Sequence, residues 1–275
     1  MTKRNFWLTI KYVYLLIVAL IIIFPLLFVA MSSLKNNEEI FLTPFRLPSR
    51  LLYQNYITVF NDIYHLHTYF INSLVYAVIV CSAGAVIDTM AAYAIARMKW
   101  KLSRLVLVFF LSGLMIPLHA TLVPLYLVVS KFRLPSQLAL MLLFVAGTIP
   151  TSVFLIIGYL SNVPRAVEES AVIDGSTIPQ MFFKIVIPMI KPAIATITIF
   201  NFMAVWNDLL LSLIFLTAEK FQTLQLGITR FKSAFFSNYG LMLAAIVLSA
   251  IPTIIVYLFM SEKIIGGITV GAVKG

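Results

Sequence analysis

The polar groups of this chain that can act on another molecule fall into two sets. The first is the run Glu168-Glu169-Ser170-Ala171-Val172-Ile173-Asp174-Gly175-Ser176, inside a polar stretch from Val163 to Pro192. Carboxylates and small side chains in one short run suit recognition of a protein surface: the acids supply charge, and the small residues let another backbone come close. The second set lies within apolar stretches and comprises Asp88, Asn201, Trp206, Asn207 and Asp208. Polar groups there mark either a solute pathway or hydrogen bonds between helices, because they are costly against lipid. Trp206 beside Asn207 offers a flat apolar face next to an amide, a combination suited to a sugar. For Asn201, Trp206, Asn207 and Asp208 both roles stand open; Asp88 reads as an interhelical hydrogen-bonding group.

Other chemistries lack their residues. The chain has no G-x-x-x-x-G-K-[ST] phosphate loop. Its tail from Gly266 to Lys274 is glycine-rich, but Gly271 is followed by Ala and no helix follows to cradle a phosphate. The chain therefore cannot hydrolyse ATP alone, and no nucleophile–base set is evident. The single cysteine, Cys81, excludes an internal disulfide and a cysteine metal cluster. His65, His67 and His119 have no companion ligand pattern. No metal or cofactor is implied. The net charge of +10 comes from Lys and Arg mostly beside apolar runs. It reads as membrane orientation and headgroup contact, not nucleic-acid binding.

These groups must be positioned by membrane helices. Of the 275 residues 61% are hydrophobic and 11% charged, against about 25% charged in a soluble domain. Continuous apolar runs of about 20 residues indicate helices, not the alternating strands of a barrel. Six spans are expected: 12–31, 70–96, 105–130, 137–160, 193–217 and 241–260. The first is too long for a signal-peptide core and lacks a good cleavage site, so it is expected to remain. Pro117 and Pro124 interrupt the third span, and Gly147, Thr148 and Pro150 the fourth. A loop from Ser32 to Tyr69 carries Thr-Pro-Phe-Arg-Leu-Pro, expected to be extended or turned. Lys3, Arg4, Lys11, Arg97, Lys99, Lys101 and Arg104 flank the first three spans. With the positive ends inside, both termini and the Val163–Pro192 stretch are cytoplasmic.

Local signals shape that stretch. Pro164 suits a helix start, and Glu168 and Glu169 favour the positive end of the helix dipole. Asp174-Gly175 ends the helix, glycine being free to take positive φ. Thr177 with Gln180 forms a capping box for a second helix, expected to stop at Pro188. The result is a helix, a tight turn and a helix at the inner membrane surface.

Glu169-Ser170-Ala171, Asp174-Gly175-Ser176, Ile187-Pro188 and Pro192 resemble the "EAA" loop of ABC importer permeases. Ser170 and Ser176 depart from that pattern, small for small. Further matches cover nearly the whole chain: Asn55-Tyr56, Phe70-Ile71-Asn72-Ser73, Ala91-Ala92-Tyr93-Ala94 with Arg97, Pro124-Leu125-Tyr126, Trp206-Asn207 and the terminal Gly271-Ala272-Val273-Lys274-Gly275. These resemble the second permease subunit of carbohydrate importers of the maltose type. The resemblance implies an all-α integral membrane protein of the type I ABC importer permease fold, in one transmembrane domain over 1–275. It implies a multi-pass subunit of a bacterial cytoplasmic membrane, working as a heterodimer with a second homologous permease. An extracytoplasmic binding protein would deliver the sugar, and an ABC ATPase dimer would supply the energy. Glu168 to Ala171 and Asp174 to Ser176 would then form the ATPase-coupling contact, and Lys274 and Gly275 a C-terminal ATPase contact. Import of a different solute is the alternative. An ion-driven transporter would need an intramembrane ionisable relay, for which the chain has few residues.

Overall fold

The computed structural model describes residues 3–61, 65–98, 100–229, 231 and 238–272, with side chains from Asn5 to Phe259. All regular elements among them are helical. In chain order they are α1 (Lys3–Ser32), α2 (Asn37–Leu42), α3 (Gln54–Asn61), α4 (Leu66–Arg97), α5 (Ser103–Gly113), α6 (Leu118–Lys131) and α7 (Ser136–Leu160). There follow α8 (Arg165–Ile173), α9 (Ile178–Met181), a π turn (Phe182–Val186), α10 (Ile187–Met189), α11 (Lys191–Trp206) and α12 (Leu210–Phe215). A short 3₁₀ turn (Glu219–Phe221), α13 (Leu224–Thr229) and α14 (Tyr239–Ala272) complete the order.

Among the described residues four helices are long and apolar enough to cross a membrane: α1, α4, α7 and α14. Two bent pairs raise the number to as many as 6. The expected third span is one of them. It breaks after Gly113, and α5 and α6 meet at 108°. Pro117 stands at the N-cap of α6 with ψ 129°, outside either helix. The residue before a proline is driven from helical geometry, so the break falls where proline ends the run. Pro124 and Pro150 stay inside α6 and α7. The helix expected to stop at Pro188 passes through it and ends at Met189. Pro188 lies in the first turn of α10, just after the π turn. The break comes at Ile190, and α11 leaves at 78° with Pro192 in its first turn. The expected fifth span is also divided, ending α11 at Trp206 and resuming at Leu210. Within the loop from Ser32 to Tyr69, residues 43–48 are turned as expected, and α2 and α3 form on either side of them.

The chain forms two compact units. One comprises residues 1–68 and 227–251. In it the most apolar stretch of α1 buries nothing within the chain, as suits a helix solvated by lipid, its backbone satisfied internally. Just past its end the Asn55-Tyr56 motif finds its purpose. Asn55 Nδ2 donates to the carbonyls of Ser33 at 2.8 Å and Lys35 at 3.2 Å, and Tyr56 Oη lies 2.6 Å from Ser33 Oγ. The amide contacts satisfy carbonyls of the turn that follows α1. Tyr239 N–H donates to Asn37 Oδ1 at 2.9 Å. Beside it, a side chain on Gly240 would lie 2.6 Å from the Lys35 carbonyl and 3.0 Å from Asn55 Nδ2. Gly240→Ala is therefore expected to cost about 1–3 kcal/mol through overpacking, read as a lower thermal midpoint of the purified protein. Gly147→Ala, whose Cβ meets nothing within 4 Å, is the control that should leave the midpoint unchanged.

The other unit comprises residues 69–226 and 252–275. Its interior holds two apolar clusters. One joins Ala92 and Tyr93 of α4, Val153, Ile156 and Leu160 of α7, Phe182 and Val186 of the π turn, and Ile197 of α11. The other gathers Tyr76 and Val80 of α4, Leu140 and Phe144 of α7, Val205, and Leu211 and Phe215 of α12. The motif Phe70-Ile71-Asn72-Ser73 pins the segment around the 3₁₀ turn to α4. Asn72 Nδ2 donates to the carbonyls of Lys220 and Gln222, both at 2.9 Å, and Ser73 Oγ accepts from Leu224 N–H at 2.8 Å.

Candidate functional site

The polar hairpin is built from α8, the turn after it, α9 and the π turn. Pro164 caps α8 with φ −61° and ψ 130°, and Glu168 occupies the first turn. The C-terminal end is a Schellman motif. Ser176 N–H donates to the Ala171 carbonyl at 2.9 Å and Gly175 N–H to the Val172 carbonyl at 3.0 Å. Gly175 takes φ +80°, the left-handed conformation this motif requires. No atom lies within 4 Å of where its Cβ would stand, so conformation and not space demands glycine here. Thr177 and Gln180 form a reciprocal capping box at the start of α9. Met181, Phe182 and Val186 then bury the hairpin's apolar side in the cluster with Tyr93 and Leu160.

Arg97, the last residue of α4, latches this hairpin to two spans. Its Nη2 donates to the carbonyls of Leu160 and Val163, each at 2.6 Å, at the end of α7. Its Nε lies 3.1 Å from Glu168 Oε1, and the two side chains are only 7% and 12% exposed. Tyr93, one turn earlier on the same face of α4, donates to Glu168 Oε2 at 3.2 Å and packs its ring 5.2 Å from Phe182. One guanidinium thus holds the ends of α4 and α7 and the first turn of α8. From the sequence, Arg97 reads as a charge marker and Tyr93 and Arg97 as parts of one motif, neither of them paired with Glu168. Their four-residue spacing, matched to a glutamate in the hairpin, was the available signal.

Among the acidic and small residues of the hairpin, the structure divides the directions. Glu168 turns inward to Arg97, and Ala171 is buried at 5% exposure. Glu169, Ser170, Ile173, Asp174 and Gly175 are exposed, and Ser176 is half-buried. Ile173 is 85% exposed, an apolar side chain standing beside charged ones. A recess of about 710 Å³ opens between the hairpin and the end of α4, lined by Tyr93, Arg97, Trp100, Arg165, Glu168 and Glu169 among others.

A second cavity, about 720 Å³, lies at two of the helix breaks of this unit, those after Gly113 and after Trp206. Gly113, Ile116 and Leu118 line it from the α5–α6 bend, Thr148 and Pro150 from α7, and Asn201 and Asp208 from α11 and the break after it. Asp208 stabilises the restarted helix: its carboxylate accepts from Leu211 N–H at 3.3 Å and from Ser212 N–H and Oγ–H, both at 2.9 Å. Asn201 is 3% exposed and donates to Asp88 Oδ2 at 3.5 Å and Ser152 Oγ at 3.4 Å. Asp88 is fully buried. Gly84 makes room for this network, since a Cβ there would come within 3.0 Å of Asn201 Nδ2. Of the four residues weighed for the pathway, Asn201 and Asp208 line the cavity together. Trp206 does not: it is 1% exposed, stacked on Phe202 at 5.5 Å and edge-on to Phe70 at 5.4 Å. Asn207 is exposed and donates back to the Met203 carbonyl. Lys274 and Gly275 lie outside the described residues. No group of three or more metal-binding side chains occurs among the described residues.

Residues 84–261 match the model of a family described as "Binding-protein-dependent transport system inner membrane component". The chain is 33% identical over 268 residues to "Probable ABC transporter permease protein YurM" of Bacillus subtilis, covering 97% of this chain and 89% of the relative. It is 31% identical over 268 residues to the diacetylchitobiose uptake system permease protein NgcG of Streptomyces coelicolor, covering 96% and 88%. In structure it is similar to a chain of a bacterial ABC transporter involved in the import of the acidic polysaccharide alginate. That likeness has a TM-score of 0.83 at 23% identity and covers 95% of this chain and 98% of the other.

Proposed function

Because the chain belongs to the family of binding-protein-dependent transport system inner membrane components, we propose that it is the permease subunit of an ATP-driven importer for a sugar or oligosaccharide. It crosses the cytoplasmic membrane of a bacterium six times, α5 with α6 and α11 with α12 each serving as one span, with both termini inside. It pairs with a second homologous permease to enclose the solute path, receives solute from an extracytoplasmic binding protein, and is driven by a separate ABC ATPase dimer. A single transmembrane domain over 1–275 carries these contacts.

The observation that carries this reading is the latched hairpin. A capped helix whose first turn is tied by Arg97 to the ends of two spans is a mechanical link: force on its exposed face passes to α4 and α7. Glu169, Ser170, Asp174, Gly175 and Ser176 form the face offered to the ATPase. Glu168 and Ala171 hold that face in place from behind, and Lys274 and Gly275 add a contact from the tail. In the membrane, Asn201 and Asp208 present polar groups to the solute cavity, while Trp206 and Asn207 support the break between α11 and α12. The uptake of diacetylchitobiose named for NgcG supports a carbohydrate as solute.

The test is uptake by a strain lacking this subunit. Loss of uptake of labelled oligosaccharides, restored by the intact chain, is the expected result. Unchanged oligosaccharide uptake would overturn the sugar reading, and loss of uptake of another solute class would replace it.

A further inference from the structure

The chain that leaves α1 turns back onto the span. Phe45, well past the helix end at Ser32, places its ring 5.8 Å from Phe28 and 6.1 Å from Phe24. At 1.5 Å per residue these partners lie about 6 and 12 Å back from the end of α1. The turn that carries Phe45 is unusually apolar on its outside. Phe41, Leu42, Phe45 and Leu47 are 64%, 72%, 72% and 82% exposed. Exposed apolar patches of this kind mark a surface that water does not cover.

Four backbone groups of the same turn, the carbonyls of Thr43 and Pro44 and the N–H groups of Thr43 and Arg46, are satisfied from within. Lys35, fully buried, donates its ammonium to the carbonyls of Thr43 at 3.1 Å and Pro44 at 2.8 Å. Thr43 N–H donates to Glu39, and Arg46 N–H to Thr43. Irregular backbone survives beside hydrocarbon only when its polar groups find partners inside the protein. Arg46 and Arg50 are exposed on either side of Leu47, long enough to carry charge out to headgroups while their stems stay apolar.

We propose that Phe41–Leu47 is a lipid-docking wedge. It is seated at the acyl–headgroup boundary of the leaflet that meets the C-terminal end of α1, with Arg46 and Arg50 at the phosphates. The occupant is lipid because the patch continues the unburied surface of α1 through Phe24 and Phe28. The proposal rests on the reading of α1 as a membrane span.

Spin labels test it in the chain co-expressed with its partner subunits and reconstituted in phosphatidylcholine–phosphatidylglycerol vesicles. The background is Cys81→Ala, and single labels are placed by Leu42→Cys, Phe45→Cys and Leu47→Cys. Glu38→Cys, on the exposed first turn of α2, is the aqueous control, and Leu20→Cys in α1 the bilayer control. Oxygen, which concentrates in lipid, is expected to relax the labels at 42, 45 and 47 several-fold more than a water-soluble nickel chelate, with the order reversed at 38. Dominance of the chelate at 42, 45 and 47, with oxygen still dominant at 20, overturns the wedge and leaves the span. Exclusion of both relaxants from 42, 45 and 47 means that another subunit covers the patch, and also overturns it. Dominance of the chelate at 20 removes the span and the wedge with it.

Discussion

Replacing Arg97 with alanine is expected to abolish uptake while the chain still inserts in the membrane. The change deletes the donor to the Leu160 and Val163 carbonyls and the cation beside Glu168. Glu168 is then left 12% exposed with no positive partner. Removing one member of a buried pair costs about 3–5 kcal/mol, because the remaining charge stays uncompensated. That cost falls on the junction of α4, α7 and α8, while the second apolar cluster, around Tyr76, Phe144 and Phe215, is untouched. The first turn of α8 should detach from α4, so movement of the hairpin no longer reaches the membrane helices. Three readouts check this: membrane content of the chain, co-purification of the ATPase, and solute uptake. Arg97→Lys should recover only part of the uptake, since an ammonium cannot serve two carbonyls and a carboxylate with a planar fork. Arg97→Gln combined with Glu168→Gln removes the stranded charge and should restore more than Arg97→Ala. Full uptake in Arg97→Ala would refute the latch.

Glu169→Lys is expected to give the same loss of uptake for a different reason. Glu169 is exposed on α8, and a single exposed charge contributes little to a protein's own stability. Its reversal should leave thermal stability and membrane content unchanged. At a surface that docks a partner, the same reversal places a cation where an anion belongs, and like-charge juxtaposition there costs several kcal/mol. The ATPase should fail to co-purify, or should turn over without driving uptake. Ser170→Trp should act likewise through bulk alone. The pair of experiments separates the two sides of one helix: Arg97→Ala weakens the hairpin's seat, and Glu169→Lys weakens what the hairpin holds. Retained ATPase with normal uptake in Glu169→Lys would remove the coupling role.

Much of the hairpin was legible in the chain because its signals are local. Pro164, Asp174-Gly175 and Thr177-Gln180 act over one to five residues, and the Schellman turn and capping box stand where those residues place them. The apolar runs likewise announce membrane helices, since about 20 such residues have few other fates. Breaks inside the spans were less legible. Pro117 stands between two helices, at the N-cap of α6, while Pro124 and Pro150 lie inside theirs, and residue type alone does not separate the three.

The direction of each polar side chain was not written in the residues alone. Glu168 and Glu169 share charge and neighbourhood, yet one is latched inward and the other faces solvent. Successive helical residues point about 100° apart, so which of two neighbours is inside depends on what packs alongside, here Tyr93 and Arg97 of α4. Trp206 and Asn201 follow the same rule. The tryptophan, attractive as a sugar platform, is enclosed by Phe70 and Phe202, while the asparagine and Asp208 reach the cavity. Local chemistry settles which segments are helical and where a turn must lie. Long-range packing settles which of their polar groups meet a partner, because contacts between residues distant in the chain exist only once the helices are side by side.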